Sequence, residues 1–280
     1  MPRKEGIGYL PSMRLPTLEQ LRITPMSEIQ RYWMGVGLST SLFSERVCEF
    51  ETIGEFQEYY RLLRKAALAG VGNAWNELGW LWMNGFFLAK DHEQAVRVLQ
   101  IATQFQCPEA HYNLGLIYGY MGSPHRNQPE ALPHLEQAYG RGILLAAYSL
   151  GELYEGNWVA EQGEVGVFVE PDPKRSWEWY LRGAQGGHVW ASMKVALRQL
   201  EGTGLSGSVE DGVNLLKQAA EYALGAEPAE ALMEFYLVTQ PGSDEYHHWR
   251  DRAIAMNSSQ ARRYRAYDAH RQTSEKEKQA

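Results

Sequence analysis

Apolar positions along the chain repeat with two periods, a helical one and a much longer one. A small residue near the start of Asn73-Ala74-Trp75-Asn76-Glu77-Leu78-Gly79-Trp80-Leu81-Trp82 returns as Ala110, Ala146 and Ala191, at intervals of 36, 36 and 45 residues. Leu78-Gly79 returns as Leu114-Gly115 and Leu150-Gly151, then weakens to Val195-Ala196. Trp82 returns as Tyr118 and Tyr154 and fails at Gln199. A small residue, Leu-Gly one turn later and an aromatic a turn beyond share one face of an α-helix.

A second amphipathic segment follows each first one. Its small positions are Ala95 and Ala102, Ala131 and Ala138, Ser176 and Gly183, then Gly212 and Ala219; Leu99, Leu135, Tyr180 and Leu216 sit between them. Gly142 and Gly187 close two of the units, as expected where a helix ends in a left-handed residue, while Gln106 and Ala223 hold that slot elsewhere. Small positions let two helices approach and bulky ones fill the gap. No unit of this size buries its apolar face alone, so the stack is the fold, with about five helix–turn–helix repeats.

The pattern extends in both directions. Thr52-Ile53-Gly54-Glu55 reads as a capping box before Leu62, Leu63, Ala66 and Ala67, with Gly70 as the stop. Downstream, Ala231, Leu232 and Phe235 open a degenerate unit that Tyr246, Trp249, Ala253 and Asn257 complete. Ala261 then starts an Arg-rich polar stretch, 260–270, read as a capping helix with a wettable outer face. The expected organisation is an irregular amino-terminal capping segment (1–51), a repeat array (52–265) and a charged, flexible tail (266–280). Within the first segment, Ser27-Glu28-Ile29-Gln30 reads as a helix start.

These recurrences resemble the Sel-one-like repeat family, a relative of the tetratricopeptide repeats, over about residues 55–265. The third unit carries the likeness best, with Ala146, Leu150-Gly151, Tyr154, Gly156, Asp172, Trp179-Tyr180, Ala184 and Gly187. The resemblance implies an all-α, right-handed superhelical solenoid working as an adaptor or scaffold between proteins. By similarity to tetratricopeptide arrays, the first helix of each unit lines a concave groove. That register points to Trp80, Met83 and Asn84, then Tyr112, Leu116 and Tyr120, then Tyr148, Glu152 and Glu155, then Trp190 and Met193. Aromatic and Met side chains lead in interface cores. Carboxylates beside them suit a partner with basic groups next to apolar anchors.

One unit is longer than the period by nine residues, and the excess lies in 156–173. Val165, Val167 and Val169 alternate there, a pattern that allows a short hairpin, and Trp158 and Phe168 are its candidate contact residues. Asp172-Pro173 reads as the cap and first residue of the next helix.

Composition narrows the function. The formal net charge is −7, against a general nucleic-acid or membrane-surface binder. No apolar run is long enough to span a membrane and no secretory signal follows the start, so the reading is cytoplasmic. Cys48 and Cys107 match no metal spacing and are expected as free thiols. The eight histidines form no metal pattern; His247-His248 diverge on a helix, and His134 holds a repeat slot that is Trp179 in the third unit. Gly202-Thr203-Gly204-Leu205-Ser206-Gly207 lacks the preceding strand of a phosphate cradle and reads as a loop between helices. Glu152 and Glu155 share a helix side, yet a solvated or partner-facing edge accounts for them better than acid–base chemistry. The expectation is a protein-binding scaffold with no cofactor and no catalytic role. A neutralising protein that blocks one toxin or enzyme is the alternative, an enzyme or small-ligand binder the third reading, and self-association through an aromatic face stays open.

Overall fold

Each unit of the predicted pattern is realised as two antiparallel helices. A computed structural model describes residues 15, 17, 53–85, 88–119, 126–156 and 166–279 of the 280. Among them are twelve helices: α1 (Ile53–Leu68), α2 (Gly72–Asn84), α3 (His92–Gln104), α4 (Pro108–Gly119), α5 (Gln128–Gly140), α6 (Leu145–Glu155), α7 (Pro173–Gln185), α8 (Val189–Leu200), α9 (Val209–Tyr222), α10 (Glu227–Thr239), α11 (Asp244–Ala255) and α12 (Ser259–Gln279). The fold is an all-α repeat solenoid. The chain divides into two compact units, Met1–Asn113 and Leu114–Ala280, described separately below.

In the first unit α1 packs on α2 and α2 on α3. Ala74, Leu78, Ala95, Leu99 and Ala102 are buried, as the period requires. A Cβ on Gly79 would stand 2.5 Å from Leu99 Cγ, so the Leu-Gly pair exists to seat the bulky residue of the second helix against bare backbone. Buried Asn113 donates from Nδ2 to Asn76 Oδ1 at 2.9 Å. The expected capping box at Thr52 lies outside the described residues, but Glu55 falls in the first turn of α1.

The second unit repeats that joint. Leu135 packs where a Gly115 Cβ would be, and the Tyr180 ring where a Gly151 Cβ would be, each at 2.5 Å. In the next repeat the first helix carries Ala196 instead, and the space is returned on the second helix, where a Gly212 Cβ would lie 2.9 Å from the Ala196 carbonyl oxygen. That exchange explains how the fourth unit stacks without its Leu-Gly. Ala196, Leu216, Leu232, Met233, Tyr246, Trp249 and Ala253 continue one core toward α12.

Second helices end alike. The backbone N–H of Val71, Cys107, Ile143, His188 and Ser258 donates back to Ala66, Ala102, Ala138, Gly183 and Ala253. The residue before each donor is left-handed: Gly70, Gln106, Gly142, Gly187 and Asn257. This is the Schellman closure, and Gln106 adopts it despite its Cβ. Ala223 does not; its φ is −68° and its ψ 138°. First-to-second connections also repeat: the N–H of Asp91, Asn127 and Asp172 donates to the carbonyl of Trp82, Tyr118 and Tyr154. Asp172 caps α7 through Lys174 and Arg175 N–H, with Pro173 opening the helix.

The terminal helix runs on from Ser259 to Gln279, through residues that composition alone suggests as a tail. Asp268 accepts from Tyr246 Oη and Arg250 Nη1, each at 2.8 Å, which ties α12 to α11.

Candidate functional site

In the second unit the first helices α6 and α8 each carry a stripe at helical spacing. On α6 it is Tyr148, Glu152 and Glu155; on α8 it is Trp190, Lys194 and Arg198. Tyr180 of α7 stands beneath both. Its ring fills the space opened by Gly151, in the slot that holds leucine at 99, 135 and 216. A tyrosine there reaches farther than a leucine. Its hydroxyl emerges between two carboxylates, 2.5 Å from Glu152 Oε1 and 2.6 Å from Glu155 Oε2. One phenolic proton therefore serves two acceptors.

Lys194 Nζ lies 2.9 Å from Glu152 Oε1 and 2.9 Å from Glu155 Oε2, and Arg198 Nη2 pairs with Glu155 Oε1. Both cations also lie over the Tyr180 ring, at 5.6 and 5.1 Å. Two negative and two positive groups leave the cluster neutral. Burial alone would raise the Glu155 pKa, but hydrogen bonds from Tyr180 and Lys194 and the charges of Lys194 and Arg198 outweigh it and hold it at about 2. Burial and the same carboxylates push the Tyr180 hydroxyl far up. For Lys194 burial acts downward, yet hydrogen bonds to Glu152 and Glu155 leave its pKa raised.

The amino-terminal end of the same face is aromatic. The Tyr148 ring is 5.8 Å from Tyr180 and 5.4 Å from His188. His188 caps α8: its Nδ1 accepts from Ala191 N–H at 3.2 Å, which requires the unprotonated nitrogen, and burial lowers its pKa. Two residues on, Trp190 is 46% exposed. Leu144, 37% exposed, packs toward Gly186 at the same helix ends.

The other sequence-derived candidates divide by burial. Met83 (1% exposed) and Met193 (9%) are core residues; Met193 joins the cluster that includes Met233 and Trp249. Trp80 and Asn84 are half-buried, and Asn84 Nδ2 donates to the Trp80 carbonyl at 2.9 Å. Tyr112 and Leu116 are half-buried. Tyr120 and Trp158 lie outside the described residues, as does most of the insertion. In the described part of the insertion, Val167 forms a parallel bridge with Asn127 of the preceding connection. Gln128 N–H donates to the Val167 carbonyl at 2.8 Å, Val169 N–H to Gln128 Oε1 at 2.9 Å, and Arg126 covers half-buried Phe168 at 5.0 Å.

Among the described residues no cluster of His, Cys, Asp or Glu could hold a metal, and no helix is long and apolar enough to cross a membrane. Sequence reasoning missed Lys194 and Arg198. Their spacing of four and eight residues from Trp190 is the signal that marks them.

The sequence matches the Sel1 repeat over residues 74–102, 108–142, 144–188 and 191–221, together half of the chain. The chain belongs to the Sel1 repeat family. Among solved structures, this Sel1 chain is similar to a Sel1 repeat protein from Oxalobacter formigenes, at 23% identity and a TM-score of 0.58, covering 71% of this chain and 78% of that one. It is also similar to a protective antigen of uropathogenic Escherichia coli strains with an SLR fold, at 20% identity and a TM-score of 0.62, covering 86% of this chain and 50% of that one. An immunity protein from Pseudomonas aeruginosa aligns at 15% identity with a TM-score of 0.46, covering 85% of this chain and 84% of that one. No curated protein matches the Sel1 chain.

Proposed function

We propose that this Sel1 repeat chain is a protein-binding scaffold, and that its contact surface in the carboxy-terminal unit is the α6–α8 face centred on Tyr148, His188 and Trp190. Proteins built on these repeats generally mediate contacts between proteins. The observation that carries the reading is Trp190, 46% exposed and two residues from His188, whose ring lies 5.4 Å from half-buried Tyr148. Large aromatics left in water next to a rigid, hydrogen-bonded base have the composition and setting of interface anchors. Leu116 holds the same register within the carboxy-terminal unit and is a secondary contact in this reading. The work is non-catalytic and cytoplasmic.

Photo-cross-linking in the native cell tests this directly. A benzoylphenylalanine placed at Trp190 should capture one or a few proteins that the same group at exposed Glu178 on α7 does not. Trp190→Ala should weaken the captured complex by about 2 kcal/mol while leaving the melting curve unchanged. Capture from position 178 and none from 190 would remove this face. A single partner held at nanomolar Kd, about −12 kcal/mol, would turn the reading from an adaptor to a neutralising binder.

A further inference from the structure

Resting on the α6–α8 docking face, we infer that the segment it takes is an extended peptide stretch with an apolar anchor over Trp190 and Tyr148 and a carboxylate on Lys194 and Arg198. The carboxylates of this face point to a basic partner only while they are read alone. In the folded chain both are already paired with cations. Glu155 accepts at both oxygens and Glu152 meets Tyr180 and Lys194.

Donors outnumber what these acceptors use. Arg198 engages Glu155 through Nη2, and its Nε and Nη1 have no acceptor among the described residues. Lys194 has three N–H groups and two carboxylate contacts. The two cationic side chains are 31% and 21% exposed, while that of Glu152 is 11% exposed. Glu155 is 23% exposed, so Lys194 is the most open of the four side chains and has an N–H left over. A carboxylate offers two acceptor oxygens to the N–H groups that Lys194 and Arg198 still have, whereas a lysine on the partner offers none.

Geometry sets the spacing. Trp190 and Arg198 are separated by two turns of α8, about 12 Å at ~1.5 Å per residue. An extended chain covers that distance in about three or four residues at ~3.3 Å each. The matching partner segment carries Leu, Phe or Trp and, about three or four positions away, Asp or Glu.

The test uses the full chain and fluorescent synthetic peptides with a Leu or Trp anchor and an Asp, Asn or Lys about three or four positions from it, read by anisotropy. Asp peptides should bind the wild-type chain at least about tenfold more tightly than Asn or Lys peptides, as for hydrogen bonds to charged groups. That preference should shrink with added salt and vanish in Arg198→Gln, with Arg198→Lys as a folded control that keeps the charge. Anchor-only binding should survive Arg198→Gln and be lost in Trp190→Ala. Equal or tighter binding of Asn or Lys peptides overturns the charge inference and leaves the docking face standing. Binding unchanged in Trp190→Ala, or no binding by any peptide, removes the peptide-binding face itself.

Discussion

Tyr180 shows how one residue changes the use of a repeat. At 99, 135 and 216 the slot between two helices holds leucine and ends in hydrocarbon. At 180 the same slot sends a hydroxyl to Glu152 and Glu155. Tyr180→Phe keeps the packing and removes the proton, leaving two carboxylates short of a donor. A loss of about 1–3 kcal/mol is expected in a urea melt at neutral pH. The acid limb should shift as well. In the wild type the Glu155 pKa is depressed from 4.5 to about 2, so its contribution is present above pH 4.5 and is lost as pH falls through 2. Without the Tyr180 hydroxyl the folded pKa rises, so the contribution is smaller and is exhausted at a higher pH. An acid-limb midpoint identical to wild type would detach Tyr180 from the network.

Helix ends carry the next level of control. Five second helices close through the same backbone bonds, and Gln106 is the one side chain other than Asn257 held left-handed there, at φ 59°. A non-glycine residue in that region is strained by about 1–2 kcal/mol, and glycine gives part of that back as unfolded-state entropy. Gln106→Gly is therefore expected to stabilise the chain by about 0.5–1 kcal/mol, measured as a higher urea midpoint at unchanged slope. A lower midpoint would mean that the Gln106 side chain compensates its backbone. His188 makes the start of α8 sensitive to protons. Its folded pKa lies below the ordinary 6.5 because of burial, so the unfolded chain binds protons more readily, and stability falls as pH drops below 6.5. Asparagine caps without titrating. His188→Asn should flatten the stability profile below about pH 6.5, leaving the share of His134, whose pKa burial also lowers. An unaltered profile would exclude the cap as the titrating element.

Across the whole chain, stability is a sum over repeats and their joints. Leu114, 0% exposed beside Gly115, is such a joint. Leu114→Ala is expected to cost about 2–5 kcal/mol in a denaturant melt, and a change under about 0.5 kcal/mol would contradict its buried position. The period, the two helices per unit, the Leu-Gly seats and most stop positions were legible in the amino-acid order, because each rests on local helical spacing and on residue volume, and both are properties of short stretches of chain. Ala223 was marked by that order as an odd stop, and the backbone there is indeed extended. What a local pattern does not contain is which charged groups meet across helices distant in sequence. Glu152 and Glu155 read as a patch awaiting a basic partner, yet Lys194 and Arg198, 39 and 43 residues beyond Glu155, already neutralise them. The valine alternation likewise does not contain the bridge from Val167 to Asn127, which depended on a connection about 40 residues upstream. Helical periodicity determined the fold; long-range charge pairing, decided only when the repeats stack, determined which charged side chains of the α6–α8 face are already paired.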